Sequence, residues 1–317
     1  MEFYTFLSTD DRHTEIHAVK WIPEKVKAAL IITHGIQEYS ERYDEFARFL
    51  NDYNIAVYAH DHIGHGESVA SEEELGTFHS HKVDEVMTAD LYQQMNIVIK
   101  ENPGIPVFML GHSMGSYVLR KFLSDYGKDV EKIKGAIIMG TGTENNLSIR
   151  AGLRLIKGMK RIKNSDYKSR TIAKMAFSRR EYKGYDMTGE DPENSWLSKN
   201  VKSVKKYYSD PKDTYEVSLD GYEGLMKMTL LDNMRKRIKR IPKNLPILFV
   251  SGSEDPVGAN GKGVKAAYKK FVKAGIKDVT LKLYKGDRHE ILNELDRHDV
   301  YEDIALWILS HKRDEEI

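Results

Sequence analysis

Short apolar runs, each ending on a small or polar residue, recur along the chain: AALIITHG to Gly35, IAVYAHD to Asp61, PVFMLGHS to Ser113, GAIIMGTG to Gly142, PILFVSGS to Ser253 and VTLKLYKG to Gly286. Their length and β-branched content predict strands buried on both faces, with polar loops at their C-terminal tips. Between them, YDEFARFLNDY, VDEVMTADLYQQMNIVIKENP, SYVLRKFLSDYG, GVKAAYKKFVKAG and VYEDIALWILSHK place apolar residues three and four apart, as amphipathic helices do. Strands alternating with helices imply an α/β protein with a mostly parallel, doubly wound sheet. At the N-terminus FYTFLS and EIHAVKWI, separated by TDDRHT, predict an antiparallel hairpin at the sheet edge.

The alternation stops near Thr143 and resumes near Leu245. About 100 helix-leaning residues intervene, too many for a structureless loop, so they are expected to form a helical insertion above the sheet. The chain divides accordingly into a first core part, 1–142, an inserted cap, 143–243, and a second core part, 244–317. Charge separates the insertion from the rest. Residues 150–242 carry 23 Lys and Arg against 12 Asp and Glu, a surplus of 11, whereas the whole chain has a net charge of +1. Apart from RKRIKR at 235–240 these cations are scattered, which fits a solvated face; a basic, partly amphipathic surface also admits contact with anionic lipid.

Composition removes several functions. No apolar run approaches the roughly 20 residues a membrane helix needs, and the opening MEFYTFLSTDDRHTEIHAVKWIP has acidic residues where a signal peptide has a basic start. With no cysteine among 317 residues, disulfides, cysteine nucleophiles and thiolate zinc sites are excluded, and a cytoplasmic location is expected. The near-zero net charge argues against a dedicated nucleic-acid binder.

Gly111-His112-Ser113-Met114-Gly115 matches G-x-S-x-G, with the strand-like PVFML running in and the helix-like SYVLRKFL running out. A sharp strand-to-helix turn of this kind exposes a nucleophilic serine, and its flanking glycines leave room for the backbone. A serine hydroxyl needs a base, and the base needs a carboxylate to hold its tautomer. On this fold the chain order is Ser, acid, His. SGSEDPVG places Asp255 just past one strand tip and LYKGDRHEIL places His289 just past the next, while His298 and His311 fall on the last helix. The oxyanion donors are expected from the amide of Met114, at the helix start, and that of Ile36, in the loop after an earlier strand.

HGIQEYSERY (34–43), AHDHIGHGES (59–68), GHSMGS (111–116), SGSEDPVG (251–258) and KGDRHE (285–290) together resemble the monoacylglycerol lipase and lysophospholipase branch, serine aminopeptidase-like, of the α/β-hydrolases. The resemblance implies the α/β-hydrolase fold with a helical cap, ester hydrolysis on a small single-chain acyl ester, no cofactor, the triad Ser113, Asp255 and His289, and the Ile36 and Met114 amides as oxyanion hole. In that family the Glu and Arg of the first motif contact a glycerol head group; here they are Glu38 and Arg42. The sequence departs from the animal enzymes at Gln37 and Tyr39, where they have Gly and His, which leaves head-group specificity open. A thioesterase or aminopeptidase uses the same machinery, and a non-catalytic receptor on this fold is the reading from another class. The His- and Asp-rich stretch 60–65 is assigned a structural role, and HEILN lacks the second His of H-E-x-x-H, so no metal is expected. The insertion supplies candidates for the acyl pocket in Leu147, Ile149, Leu153, Ile156, Met159, Met175, Phe177, Trp196, Leu225, Met226, Met228, Leu230 and Leu231, most of which are expected to pack against the sheet. Oligomeric state is not readable.

Overall fold

The computed structural model describes residues 1–312; the end of the second core part, 313–317, lies outside the described residues. Its strands are β1 Glu2–Leu7, β2 Glu15–Trp21, β3 Ala28–Thr33, β4 Ile55–His60, β5 Val107–His112, β6 Gly135–Met139, β7 Ile247–Gly252 and β8 Val279–Tyr284. They form one eight-stranded sheet in the order β1-β2-β4-β3-β5-β6-β7-β8. β1 and β2 are the antiparallel edge hairpin, β2 meets β4 antiparallel, and the other neighbours are parallel.

The apolar runs are continuous because both faces are covered. Leu30 and Ile32 of β3 join Val57 and Phe108 in one core, while Ala29 and Ile31, one residue out of step, join Tyr58 and Met109 in the other. The first core is closed by α1 (Asp44–Asp52) and α10 (Arg297–Ser310), where Phe46 packs on Tyr301 with ring centroids 5.0 Å apart. The second is closed by α2 (Val83–Glu101), α3 (Met114–Asp125) and α9 (Lys262–Lys273), through Met87, Leu91, Phe122 and Phe271 among others. β8, at the open edge, alternates partly buried and exposed positions, as a one-sided strand should.

Between β6 and β7 the chain makes α4 (Asn146–Lys160), α5 (Arg170–Ala176), α6 (Val201–Ser209), α7 (Leu219–Asp232) and α8 (Arg235–Ile238). Side chains cap four of these helices at their N-termini: Asn145, Ser169, Asn200 and Ser218 each accept a first-turn amide, which satisfies a donor the helix leaves open. Leu219, Tyr222 and Met228 of α7 enter the core that α2 and α3 close. The buried guanidinium of Arg120 on α3 donates to Thr141 Oγ1, to the Gly142 carbonyl and to the Asp232 carbonyl at the end of α7, fastening the inserted helices to the β5 and β6 ends of the sheet. All the parallel strands point their C-termini at one edge, and the loops leaving that edge carry His34, Asp61, Ser113, Asp255 and His289.

Candidate active site

Ser113 sits between β5 and α3 with φ 50° and ψ −117°, a conformation that costs a non-glycine residue on the order of 1–3 kcal/mol. The flanking glycines are required by contact. A Cβ on Gly115 would lie 2.0 Å from the Thr33 carbonyl oxygen, and one on Gly111 would lie 2.4 Å from the Gly115 carbonyl oxygen. The turn is tied down by the Ser113 amide donating to the Met139 carbonyl (3.0 Å) and by Ser116 Oγ donating to the Ser113 carbonyl (2.6 Å). Met114 is the first residue of α3, where an amide has no intrahelical acceptor.

Asp255 is fully buried in the loop after β7. Its Oδ2 accepts from Ser251 Oγ (2.9 Å), and its Oδ1 accepts from the Val257 amide (2.8 Å) and from His289 Nδ1 (3.0 Å). Burial alone would raise its pKa, but the His289 partner and these donors bring it below the usual carboxylate value. An ionised Asp255 only accepts, so His289 carries its proton on Nδ1 and keeps Nε2 as a base. His289 and Ser113 line the same cavity. The rival imidazoles lie elsewhere: His298 is 61% exposed beside Glu45, and His311 bonds Asp278. Glu254 pairs with Lys199, and Asp287, beside Asp296 and Glu294, is pushed up to about 7 by burial and those carboxylates.

The loop after β3 is shaped by Glu38. Its side chain is buried, and Oε1 accepts from the Gly35 amide, from Tyr43 OH (3.1 Å) and from His112 Nδ1 (2.7 Å). Gln37, at φ 57°, donates its side-chain amide to the Tyr215 carbonyl (2.6 Å). Ile36, Gln37 and Glu38 line the cavity with Ser113 and Met114. Arg42 is not on that wall. Behind it, Arg42 grips Glu290 through two bonds (2.8 and 3.0 Å), donates to Glu38 Oε2 (3.1 Å) and faces Asp213 (3.4 Å). Burial would neutralise these groups one by one, yet pairing keeps Glu38 and Glu290 below the usual carboxylate range and raises Arg42 and His112 above their ordinary values. Asp213 is the third acid around Arg42. Burial, Glu290 and Asp210 push it up to about 8 against the pull of Arg42.

The histidine-rich stretch 60–65 is scaffolding in this structure. Asp61 accepts from the Ser40 amide (2.7 Å) and the Glu67 amide (2.8 Å), which ties the two neighbouring loops together. His34 Nε2 accepts from the His62 amide (3.0 Å), and burial lowers the pKa of His34, His60, His62 and His65, so all four stay neutral. Among the described residues no group of three or more His, Cys, Asp or Glu is arranged to hold a metal ion.

The cavity above Ser113 measures about 470 Å³, and the inserted helices form its far wall. Of the apolar candidates in the insertion, Ile149, Met175, Phe177, Trp196, Leu225 and Met226 line it. Leu147 is 74% exposed, while Ile156 and Met228 belong to the core. Arg179, between α5 and α6, donates to Glu144 and to the carbonyls of Pro256 (2.6 Å) and Val257 (3.1 Å), beside Asp255. Sequence reasoning did not single out His112, Glu290, Asp213, Ser251 or Arg179. The local signal was strongest for His112 and Glu290, adjacent in sequence to Ser113 and His289.

A nucleophile elbow at the C-terminal edge of this sheet, with an acid and an imidazole on the following strand tips, defines a serine hydrolase of the α/β-hydrolase class. The family described as serine aminopeptidase, S33 matches residues 24–296, and the chain belongs to that family of hydrolases. Human monoglyceride lipase is 30% identical over 292 residues, covering 91% of this chain and 84% of that protein. A thermostable carboxyl esterase from Bacillus coagulans, solved in complex with glycerol, superposes with a TM-score of 0.88 at 25% identity over 98% of this chain and 99% of that one. A soluble variant of the Saccharomyces cerevisiae monoglyceride lipase shares the fold, with a TM-score of 0.74 at 19% identity over 99% of this chain and 96% of that one.

The Asp213 carboxyl gives a pH signature. Raised from an unfolded value of roughly 3.9 to about 8 in the fold, it makes the native state bind a proton that the unfolded chain lacks across that window. The Asp213 contribution to stability therefore falls as pH rises, by at most about 1.4 kcal/mol per pH unit for one proton, while the four buried neutral histidines act in the opposite sense and alike on any Asp213 variant. In urea unfolding between about pH 5 and pH 8 the stability of the wild type relative to D213N should fall as pH rises; parallel curves would show that Asp213 is ionised throughout.

Proposed function

We propose that the chain is a serine carboxylester hydrolase whose substrates are single-chain acyl esters of the monoacylglycerol or lysophospholipid kind. Ser113 Oγ attacks the ester carbonyl as His289 Nε2 takes its proton, and Asp255 stabilises the imidazolium. The Ile36 and Met114 amides receive the oxyanion. The imidazolium then protonates the leaving alcohol, and a water, deprotonated by the same base, releases the fatty acid. The observation that carries the reading is the single cavity of about 470 Å³ into which Ser113 and His289 both open, walled by apolar side chains of the inserted helices, within the range of small-molecule sites. The resemblance to human monoglyceride lipase across most of both chains supports the substrate class.

In this reading the inserted segment 143–243 is a cap, and Glu38 is the wall group nearest a head-group hydroxyl. Arg42 supports it from behind, held by its carboxylates. An aminopeptidase needs a carboxylate free to hold the substrate's ammonium. The acids along this wall are engaged instead, Glu38 by His112, Glu290 by Arg42 and Glu144 by Arg179, which favours the ester.

The outer face of α4 and the turn after it expose Leu147 (74%) and Ile162 (85%) beside the exposed Arg150, Arg154, Lys157 and Arg161. Apolar side chains among cations form a surface that rests on an anionic lipid interface. The run at 235–240 is a weaker candidate, since Arg237 is bound to Asp125 and to Ser124. No helix among the described residues is long and apolar enough to cross a membrane. The lipid contact proposed for α4 is peripheral and reversible.

Turnover of p-nitrophenyl esters from acetate to palmitate should peak at medium or long chains, extend to monoacylglycerol, and fall by at least about 10⁴-fold in S113A. No turnover of any ester by folded protein would contradict the reading. For the cap surface, the triple variant R150E/R154E/R161E should lose sedimentation with phosphatidylserine vesicles while hydrolysing p-nitrophenyl butyrate at the wild-type rate. Unchanged sedimentation would remove lipid contact through α4.

A further inference from the structure

We infer that Trp196, carried by the inserted segment, is a positioning residue for the catalytic base: its indole face holds His289 in place and stabilises the imidazolium formed when Ser113 attacks. The inference rests on the esterase reading above. Trp196 stacks on His289 with centroids 5.1 Å apart and planes inclined by 23°. The backbone on either side of both rings is clamped. Arg288 donates to the carbonyls of Ser195 (2.6 Å), Glu193 (3.0 Å) and Ser198 (3.3 Å), and the Glu290 amide donates to the Leu197 carbonyl (2.8 Å). The neighbours of His289 thus bind the neighbours of Trp196. Glu294 closes the clamp, accepting from Ser198 Oγ (2.8 Å), the Lys199 amide (2.9 Å) and the Arg288 amide (2.9 Å). Ser195, Leu197 and Ser198 are buried, so this stretch is fixed to the histidine loop, although it belongs to the insertion.

The chemistry gives the stack a task. Proton transfer from Ser113 leaves a positive charge on His289, and a second imidazole, His112, lies 4.8 Å away with its pKa raised by Glu38. Asp255 compensates at one edge of the ring only, through Nδ1. An aromatic face against the ring attracts a cation and excludes water, and the attraction is strongest where the pair is desolvated. The indole also meets Phe177 (5.7 Å) and Tyr182 (5.9 Å), two residues of the cavity wall, which brace the same side chain. Trp196 acts through His289, as a part of the catalytic apparatus supplied by the cap.

The test separates this role from that of a pocket wall. Burst kinetics are measured on p-nitrophenyl acetate, too short to need the acyl wall, for the wild type, W196F and W196L. Rates are referred to the fraction of protein titrated by a fluorophosphonate, so misfolded molecules do not count. W196L should acylate about ten-fold more slowly with KM within about two-fold of wild type, while W196F, which keeps an aromatic face, stays within about three-fold in rate. Acylation by W196L at the wild-type rate, or a loss in W196F as large as in W196L, overturns the inference alone. A wild-type protein that leaves every ester intact overturns the esterase reading as well.

Discussion

The site depends on one close approach, between the start of α3 and the end of β3. Gly115 lies so near the Thr33 and His34 carbonyls that no side chain fits between them, and Ser113, two residues earlier, takes up a left-handed backbone as a result. The strain, on the order of 1–3 kcal/mol, is held by the parallel pairing of β5 with β3 and β6 on either side. The same contact sets the loop carrying Ile36 beside the serine, since that loop leaves β3 at the point of approach. Ser113 and the loop carrying Ile36 are therefore fixed by one piece of packing.

Around this contact the protein keeps a small set of buried charges balanced. Glu38 holds the loop after β3 through the Gly35 amide, and its charge is retained by His112 and Arg42. Arg42 reaches to Glu290, the residue after His289. A single carboxylate–guanidinium–carboxylate chain thus links the loop after β3 to the loop that carries His289. Buried groups of this kind are tolerable only when every partner is present, which is why Asp213, the acid in excess, retains its proton. The inserted helices meet the same apparatus twice, through Trp196 on His289 and Arg179 at the Asp255 loop.

The parallel strands were legible because burial on both faces leaves continuous apolar runs that end at a polar tip. Ser113, Asp255 and His289 were legible as a proposed triad because they stand on those tips and the fold dictates their order. The partition of the insertion was less so. Helical periodicity shows that α4 has an apolar face, but Ile149 lines the cavity, Ile156 packs in the core and Leu147 faces solvent, and these differ by what lies opposite. The Glu38 network was invisible for a different reason: His112 is 74 residues away and Glu290 lies 248 residues beyond Arg42, so no local pattern pairs them. The stack of Trp196 on His289 depends likewise on main-chain bonds between two distant loops.

The central claim is that Ser113, raised on its strained turn, is the nucleophile served by His289. Peptide mapping by mass spectrometry after reaction with a fluorophosphonate tests it most directly. The account predicts one adduct per chain, on the peptide containing Ser113, formed far more slowly in a folded H289Q variant. No adduct, an adduct on another residue, or equal labelling of H289Q would contradict it.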